Sequence, residues 1–169
     1  KQMIEGARQA AASKAQRYCI VISGRSPLDR EIDEIAGAVR SIKQEIPIQI
    51  CCSLGLMNDE QAKRLKAAGV DRVNHNLNTS EAYHESICTT HTFQDRLATI
   101  KNARAAGLEI CSGGIVGMGE SNEDLIDLAR HELAVLDITG GSRVVDGAVI
   151  RMPKAYPIYD GAYQGCVDG

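Results

Sequence analysis

Three cysteines lie in the middle of separate β-like stretches of the sequence. Cys19 belongs to Arg-Tyr-Cys-Ile-Val, Cys51 to Gln-Ile-Cys-Cys-Ser, and Cys111 to Leu-Glu-Ile-Cys-Ser. If these stretches are neighbouring strands, the three sulfur atoms can converge, and converging thiolates are the ligands of iron–sulfur clusters. Zinc is a second candidate, but zinc sites usually use Cys-x2-4-Cys pairs, which the sequence lacks. A third interpretation is that each cysteine is a small buried hydrophobic residue.

A row of asparagines marks the segment 71–78. As a strand, this segment would alternate between two faces, one with Arg72, Asn74, Asn76 and Asn78 and the other with Val73, His75 and Leu77. A row of amides is costly to bury unless a polar ligand or partner groups bind it. The segment is therefore either one wall of a ligand site or a polar edge strand that leads into a turn.

A glycine-rich segment follows the stretch that contains Cys111. Its glycines, beginning with Gly113 and Gly114, do not have the Rossmann spacing, so a nucleotide-phosphate loop is only weakly indicated. Close approach of the backbone to a ligand is the alternative, because glycine has no side chain to prevent it.

The remaining cysteines and the four histidines show no recognised ligand spacing. We expect Cys52 to pack against the helix layer, and we interpret Cys88 and Cys166 as structural or incidental. No His-x3-His pair is present, so each histidine is expected to be an ordinary surface or core residue.

Strand-like and helix-like stretches alternate four times along the chain. The pattern predicts strands at 17–23, 48–54, 71–78 and 108–114, with helices at 1–15, 29–43, 58–68, 79–88, 93–106 and 121–136. Such alternation is typical of a parallel sheet covered by helices. A doubly wound sheet and a (β/α) barrel both fit, and the barrel is favoured because its interior accepts polar side chains at one end.

Four strand–helix units are about half of a (β/α) barrel of about eight units. We therefore predict a partial barrel over residues 1–136 and an irregular, divergent tail over 137–169, in which 143–150 could be one strand. Half a barrel has open sheet edges, so the chain alone is expected to associate or to fold poorly.

The composition restricts the class of protein. A formal net charge of −3 argues against nucleic-acid binding, and no apolar run reaches the ~18 residues of a membrane span. The first residues do not form a signal peptide, and six cysteines suit metal or redox chemistry better than a disulfide framework. These features predict a cytoplasmic protein.

Several motifs together resemble one known family. They are Tyr18-Cys-Ile-Val, Ile50-Cys-Cys-Ser-Leu-Gly, Asn74-His-Asn-Leu-Asn-Thr-Ser, Thr89-Thr-His-Thr and Cys111-Ser-Gly-Gly-Ile-Val-Gly-Met-Gly-Glu. In this order, from about residue 1 to 130, they resemble the biotin synthases. The asparagine and Cys-Ser-Gly-Gly-Ile motifs are more specific for that family than for radical S-adenosylmethionine enzymes in general.

The resemblance implies a barrel of the radical S-adenosylmethionine type and a sulfurtransferase that inserts sulfur into dethiobiotin. In such an enzyme a [4Fe-4S] cluster reduces S-adenosylmethionine to a 5′-deoxyadenosyl radical, and a [2Fe-2S] cluster donates sulfur. Cys19, Cys51 and Cys111 match three ligands of the [2Fe-2S] cluster. Asn76 and Asn78 match ligand-contacting positions, and Gly113 with Gly114 matches part of the S-adenosylmethionine site. A flavodoxin or ferredoxin reductant and a homodimer of the full-length protein are also implied.

The sequence departs from the family in two respects. It contains no Cys-x3-Cys-x2-Cys motif for the [4Fe-4S] cluster, which we expect upstream of Lys1, and the arginine that is the fourth [2Fe-2S] ligand has no secure counterpart. We therefore expect this chain alone to be inactive. The alternative is a non-catalytic fragment that binds a small ligand and whose cysteines are structural; an aldolase-like lyase is disfavoured because the strand ends offer amides and cysteines.

Overall fold

Four parallel strands form the sheet of this protein in a computed structural model, which describes residues 2–136, 143–145 and 148–150. The strands are β1 (Arg17–Val21), β2 (Gln49–Ser53), β3 (Arg72–Asn74) and β4 (Glu109–Cys111), and they are hydrogen-bonded in that order. Sequential order and parallel direction are those of one side of a (β/α) barrel. The predicted partial barrel is thus confirmed as an α/β fold with a four-stranded parallel sheet.

Helices connect consecutive strands. They are α1 (Gln2–Ala12), α2 (Asp29–Glu45), α3 (Asp59–Ala68), α4 (Glu81–Ile87), α5 (Phe93–Ala105) and α6 (Asn122–Leu136). Two further short strands, β5 (Arg143–Val145) and β6 (Ala148–Ile150), pair with each other in antiparallel direction. Within the described ranges, no helix is long and apolar enough to cross a membrane.

The core lies between the sheet and the helices. Helix α2 buries a stripe at helical spacing, consisting of Ile32, Ile35, Ala36, Val39 and Ile42. Strand β2 presents Ile50 and Cys52 to this layer, and neither has any exposed surface. Each fully buried isoleucine contributes about 1.5–3 kcal/mol, so this layer holds the helices to the sheet. The prediction that Cys52 packs against the helices is confirmed.

Helix ends follow the predicted signals. The Asn58 side chain accepts a hydrogen bond from the Gln61 backbone N–H at 2.8 Å, and Gly69 ends α3 with φ 102°. Glycine adopts that left-handed conformation without the steric cost that a Cβ would add. Ser80 caps α4 in the same way as Asn58 caps α3, accepting from the Tyr83 N–H at 3.0 Å.

Several predicted strands differ from the structure: β1 ends at Val21 rather than at 23, and β4 ends at Cys111 rather than at 114. β3 ends at Asn74 rather than at Asn78, where φ is 72° and only an isolated bridge to Gly114 remains. The predicted single strand over 143–150 is instead the antiparallel pair β5 and β6. The boundary between 136 and 137 remains a prediction.

Candidate functional site

The strand register places the three cysteines on one face of the sheet. Cys19 of β1 lies directly opposite Cys51 of β2. Cys51 is paired with Arg72 of β3, whereas Cys111 of β4 is paired with Asn74. Paired residues and residues two apart share a face, so the sulfur atoms point the same way. Cys111 is nevertheless the last residue of its strand and lies one two-residue step, about 6.6 Å, beyond the level of Cys51.

Cys19 and Cys51 share a hydrogen bond that separates their acidities. The Cys51 thiol, as donor, lowers the pKa of Cys19 to about 7, against the opposing effect of burial and with help from Arg17. The same hydrogen bond, together with burial and the nearby Cys19 and Cys111 thiols, raises the pKa of Cys51. Above about pH 7 the pair therefore carries mainly a thiolate at Cys19 and a thiol at Cys51. A thiolate is the form that binds metal.

An ion pair between a buried arginine and an exposed glutamate lies on the same face beside the cysteines. The Arg72 guanidinium donates to one carboxylate oxygen of Glu109, from Nη2 at 2.7 Å and from Nε at 3.1 Å. The Arg72 side chain is only 9% exposed. Because β3 separates β2 from β4, this guanidinium brings positive charge to the level of Cys51, and Glu109 offsets part of it.

A cavity of about 240 Å³ opens where the first three strands end. Its wall is mainly polar and is formed by Ile22, Gly24, Arg25, Ser53, Gly55, Leu56, Asn74, His75, Asn76, Asn78, His91 and Arg96. Ser53 and Asn74 are one step further along the strands than the cysteine pair and share its face. Cys19 and Cys51 therefore lie one step beneath the cavity, whereas Cys111 lies level with the wall residue Asn74. The cavity is at the carboxyl ends of the strands, which is the position of ligand sites in parallel α/β proteins.

The predicted asparagine wall and the predicted glycine segment are placed differently. Asn76 and Asn78 both line the cavity, whereas Gly113 and Gly114 do not. The two glycines instead border Asn78, whose N–H donates to the Gly113 carbonyl at 3.1 Å. A Cβ on Gly114 would lie 2.2 Å from Leu128 Cδ2. Gly114 therefore permits close packing of α6 beside the asparagine segment.

His75 was expected on the face opposite the asparagines, and the structure places it in the cavity wall instead. The strand ends at Asn74, so the alternation of faces no longer holds there. His75 is buried, and its Nε2 has no partner among the described residues. Burial, followed by the charges of Arg96 and His91, lowers the pKa of His75 to about 4. His75 is therefore a neutral residue of the cavity wall.

Arg96 of α5 is a cavity residue that the sequence pattern did not indicate. Its Nη1 donates a hydrogen bond to the Asn76 carbonyl oxygen at 2.8 Å. This bond holds the backbone of the asparagine segment 74–78 in place. Arg25 is the second guanidinium in the wall. Two guanidinium groups and three asparagine amides can bind a ligand that has carboxylate and neutral polar groups. The only sequence signal for Arg96 was its position in the first turn of a helix that follows the asparagine motif.

The chain matches a known family over most of its length. Residues 1–131 match the radical SAM superfamily. A biotin synthase of Sulfurihydrogenibium sp. is 53% identical over 128 residues, which are 76% of this chain and 38% of that protein. A biotin synthase of Macrococcus caseolyticus is 55% identical over 130 residues, or 76% of this chain and 39% of that protein. The chain thus spans about two fifths of the length of these relatives.

Solved structures share the fold. A methylornithine synthase superposes with a TM-score of 0.69 at 17% identity, covering 79% of this chain and 40% of that one. The hydrogenase maturase HydG of Carboxydothermus hydrogenoformans gives a TM-score of 0.64 at 17% identity, covering 80% and 33%. The chain therefore belongs to the radical SAM superfamily, and within it the sequence resembles the biotin synthases over about three quarters of its length.

Proposed function

We propose that this chain is part of a biotin synthase, the sulfurtransferase that inserts sulfur into dethiobiotin, and that it holds most of the [2Fe-2S] ligands and one wall of the substrate site. The observation that carries the proposal is the placement of Cys19, Cys51 and Cys111 on one sheet face, next to a polar cavity at the strand ends. The proposal is supported independently by the sequence, which is 53% and 51% identical to two biotin synthases over the matched residues.

The donor set fits a [2Fe-2S] cluster. Three thiol groups share a face, the pKa of one of them is lowered to about 7 with help from the charge of Arg17, and Arg72 lies level with the pair in the strand register. Such a cluster, when bound, supplies the sulfur atom. In our proposal the three cysteines hold it, while the Cys19–Cys51 pair releases its shared proton when both sulfurs become ligands.

The cavity residues are proposed to bind the two organic molecules. Dethiobiotin and S-adenosylmethionine both carry carboxylates, which Arg25 and Arg96 can bind, and the dethiobiotin urea group suits the amides of Asn76 and Asn78. Gly113 and Gly114 would act indirectly, because they position Asn78. Neutral His75 adds one hydrogen-bonding atom without adding charge.

The [4Fe-4S] cluster does not fit the residues of this sequence, which has no Cys-x3-Cys-x2-Cys motif. In our proposal its ligands belong to another part of a full-length biotin synthase. A flavodoxin or ferredoxin would supply electrons to that protein. We also propose a homodimer and a cytoplasmic location, which agrees with free thiols at the five cysteines of the described part.

Anaerobic reconstitution with iron and sulfide tests the cluster assignment. We expect the chain to bind iron and sulfide in equal amounts with a [2Fe-2S] absorption spectrum, and Cys51→Ala to lose most of both. Cys52→Ala is the matched control, because Cys52 is the next residue but is buried on the opposite face. Equal iron content in both variants, or no cluster in the unmodified chain, would instead favour a ligand-binding fragment with structural cysteines.

A further inference from the structure

Three potential metal ligands meet at the end of α4, and none of them is one of the proposed [2Fe-2S] ligands. His84, Cys88 and His91 each offer a ligand atom, and these atoms all lie within 4.8 Å of one another. His84 and Cys88 are four residues apart, so one helical turn brings them to the same side. The Cys88 N–H donates to the His84 carbonyl at 3.0 Å, and the following turn returns His91 to the pair.

The distance between Cys88 and His91 suits two ligands of a tetrahedral metal ion. Cys88 Sγ lies 3.5 Å from His91 Nδ1 and 3.6 Å from Nε2. Zinc bonds of about 2.3 Å to sulfur and about 2.0–2.1 Å to nitrogen, at tetrahedral angles, place those two atoms about 3.6 Å apart. His91 Nδ1 also lies 3.0 Å from the Thr90 hydroxyl, which can orient the ring and leave Nε2 for a metal.

His84 provides the second, independent observation. Its side chain is 1% exposed, and neither ring nitrogen has a hydrogen-bond partner among the described residues. Burying an imidazole costs free energy when its ring nitrogens lose their hydrogen bonds to water and form none with the protein. A metal ion bound to one of the nitrogens would lower that cost.

The protonation states favour ligation. Hydrogen bonds from Thr90, with smaller contributions from His91 and Arg96, lower the pKa of Cys88 and so favour its thiolate. Burial lowers the pKa of both His84 and His91, which keeps the imidazoles neutral. The positive charge of Arg96 opposes a cation, while Asp95 and Glu85 offset it.

We propose that His84, Cys88 and His91 bind a zinc ion, with the fourth position open to solvent. One thiolate and two imidazoles are ligands that zinc accepts, and three protein ligands with one open position are a known zinc arrangement. Because His91 also lines the cavity, the ion would tie the loop between α4 and α5 to the cavity wall. The proposal does not depend on the cluster assignment.

Cysteine alkylation resolved by mass spectrometry tests the site in the unmodified chain. Metal-free protein is treated with iodoacetamide under anaerobic conditions, with and without zinc ions, and only the Cys88 peptide is read. We expect zinc to slow modification of Cys88 by at least about tenfold, because the metal-bound thiolate is not free to react. Zinc held by other cysteines does not enter this measurement.

Histidine variants identify the other ligands. His91→Asn and His84→Asn should each abolish the protection of Cys88, and His131→Gln, a partly exposed histidine of α6, should retain it. Each variant is compared with its own rate without zinc, and its circular dichroism spectrum must match that of the unmodified chain, so that loss of folding is not mistaken for loss of a ligand. Equal Cys88 rates with and without zinc, or protection that survives both histidine variants, would overturn the proposal.

Discussion

Cys51 and Cys52 are adjacent in the sequence and lie in different environments. Strand alternation places Cys51 beside Cys19 and Cys52 among the core residues. Burial accounts for the raised pKa of Cys52, about 12, whereas the hydrogen bond to Cys19 is the largest cause for Cys51. Strand β2 thus has a candidate ligand on one face and a packing residue on the other. This difference was predictable because successive side chains of a strand point to opposite faces.

The Cys19–Cys51 hydrogen bond predicts a change in reactivity. Cys19 is exposed, and its alkylation rate should have a pH midpoint near 7, the pKa that the Cys51 donor sustains. In Cys51→Ala the donor is absent, so the midpoint should rise toward about 8.5. The rate of Cys19 modification against pH, measured by peptide mass spectrometry, checks this.

Cys52→Ala is the control for that measurement, because it removes a thiol from the other face and should leave the Cys19 midpoint unchanged. The expected direction follows from the hydrogen bond: when the thiolate of Cys19 loses its donor, the pKa of Cys19 rises. An unchanged midpoint in Cys51→Ala would show that the pair is not hydrogen-bonded in solution.

At the scale of elements, the approach of α6 to the asparagine segment depends on Gly114. A Cβ there would lie 2.2 Å from Leu128 Cδ2 and 3.2 Å from the Asn78 carbonyl oxygen. Leu128 is only 7% exposed, so it has little room to move. We expect Gly114→Ala to lower the free energy of unfolding by about 1–3 kcal/mol, as measured by urea denaturation.

Gly113→Ala is the matched control, because a Cβ at Gly113 would meet no atom within 4 Å. Its effect on the free energy of unfolding should stay below about 0.5 kcal/mol, because the added methyl group meets no packed neighbour. If both variants lost a similar amount of unfolding free energy, the loss would come from the conformational freedom of the glycine backbone and not from the contact with Leu128.

At the scale of the whole molecule, the described sheet leaves β1 and β4 as its edges. Val21 on β1 is 67% exposed, and Val116 after β4 is 72% exposed. Such edges favour pairing with another chain, so we expect the apparent mass in sedimentation velocity to rise with concentration. Val21→Lys should weaken association, because a charged edge residue resists pairing.

Leu28→Lys is the control for the association measurement. Leu28 is 54% exposed but precedes α2 rather than lying on an edge strand. The Leu28→Lys variant should therefore associate to the same extent as the unmodified chain. A concentration-independent monomer with one sharp melting transition would contradict the edge argument.

The chain alone should form no biotin. In an anaerobic assay with dethiobiotin, S-adenosylmethionine and a reductant, the product should stay at background, because the sequence has no Cys-x3-Cys-x2-Cys motif for the radical-generating cluster. Biotin above the level of a protein-free control would refute this prediction. Cluster binding by the chain could still be tested separately.

The sequence by itself determined the alternation of strands and helices, the caps at Asn58 and Gly69, and the two faces of β2. These features depend on residues within a few positions of one another, so a local pattern predicts them.

Only the tertiary structure decided which distant residues meet. The one-step offset of Cys111, the turn of His75 into the cavity, the arrival of Arg96 from α5 and the cluster of His84, Cys88 and His91 were not predicted. Strand register and loop conformation depend on packing between segments that are far apart in the sequence. A period of two or 3.6 residues therefore cannot specify them, and the candidate sites became visible only when these segments were brought together.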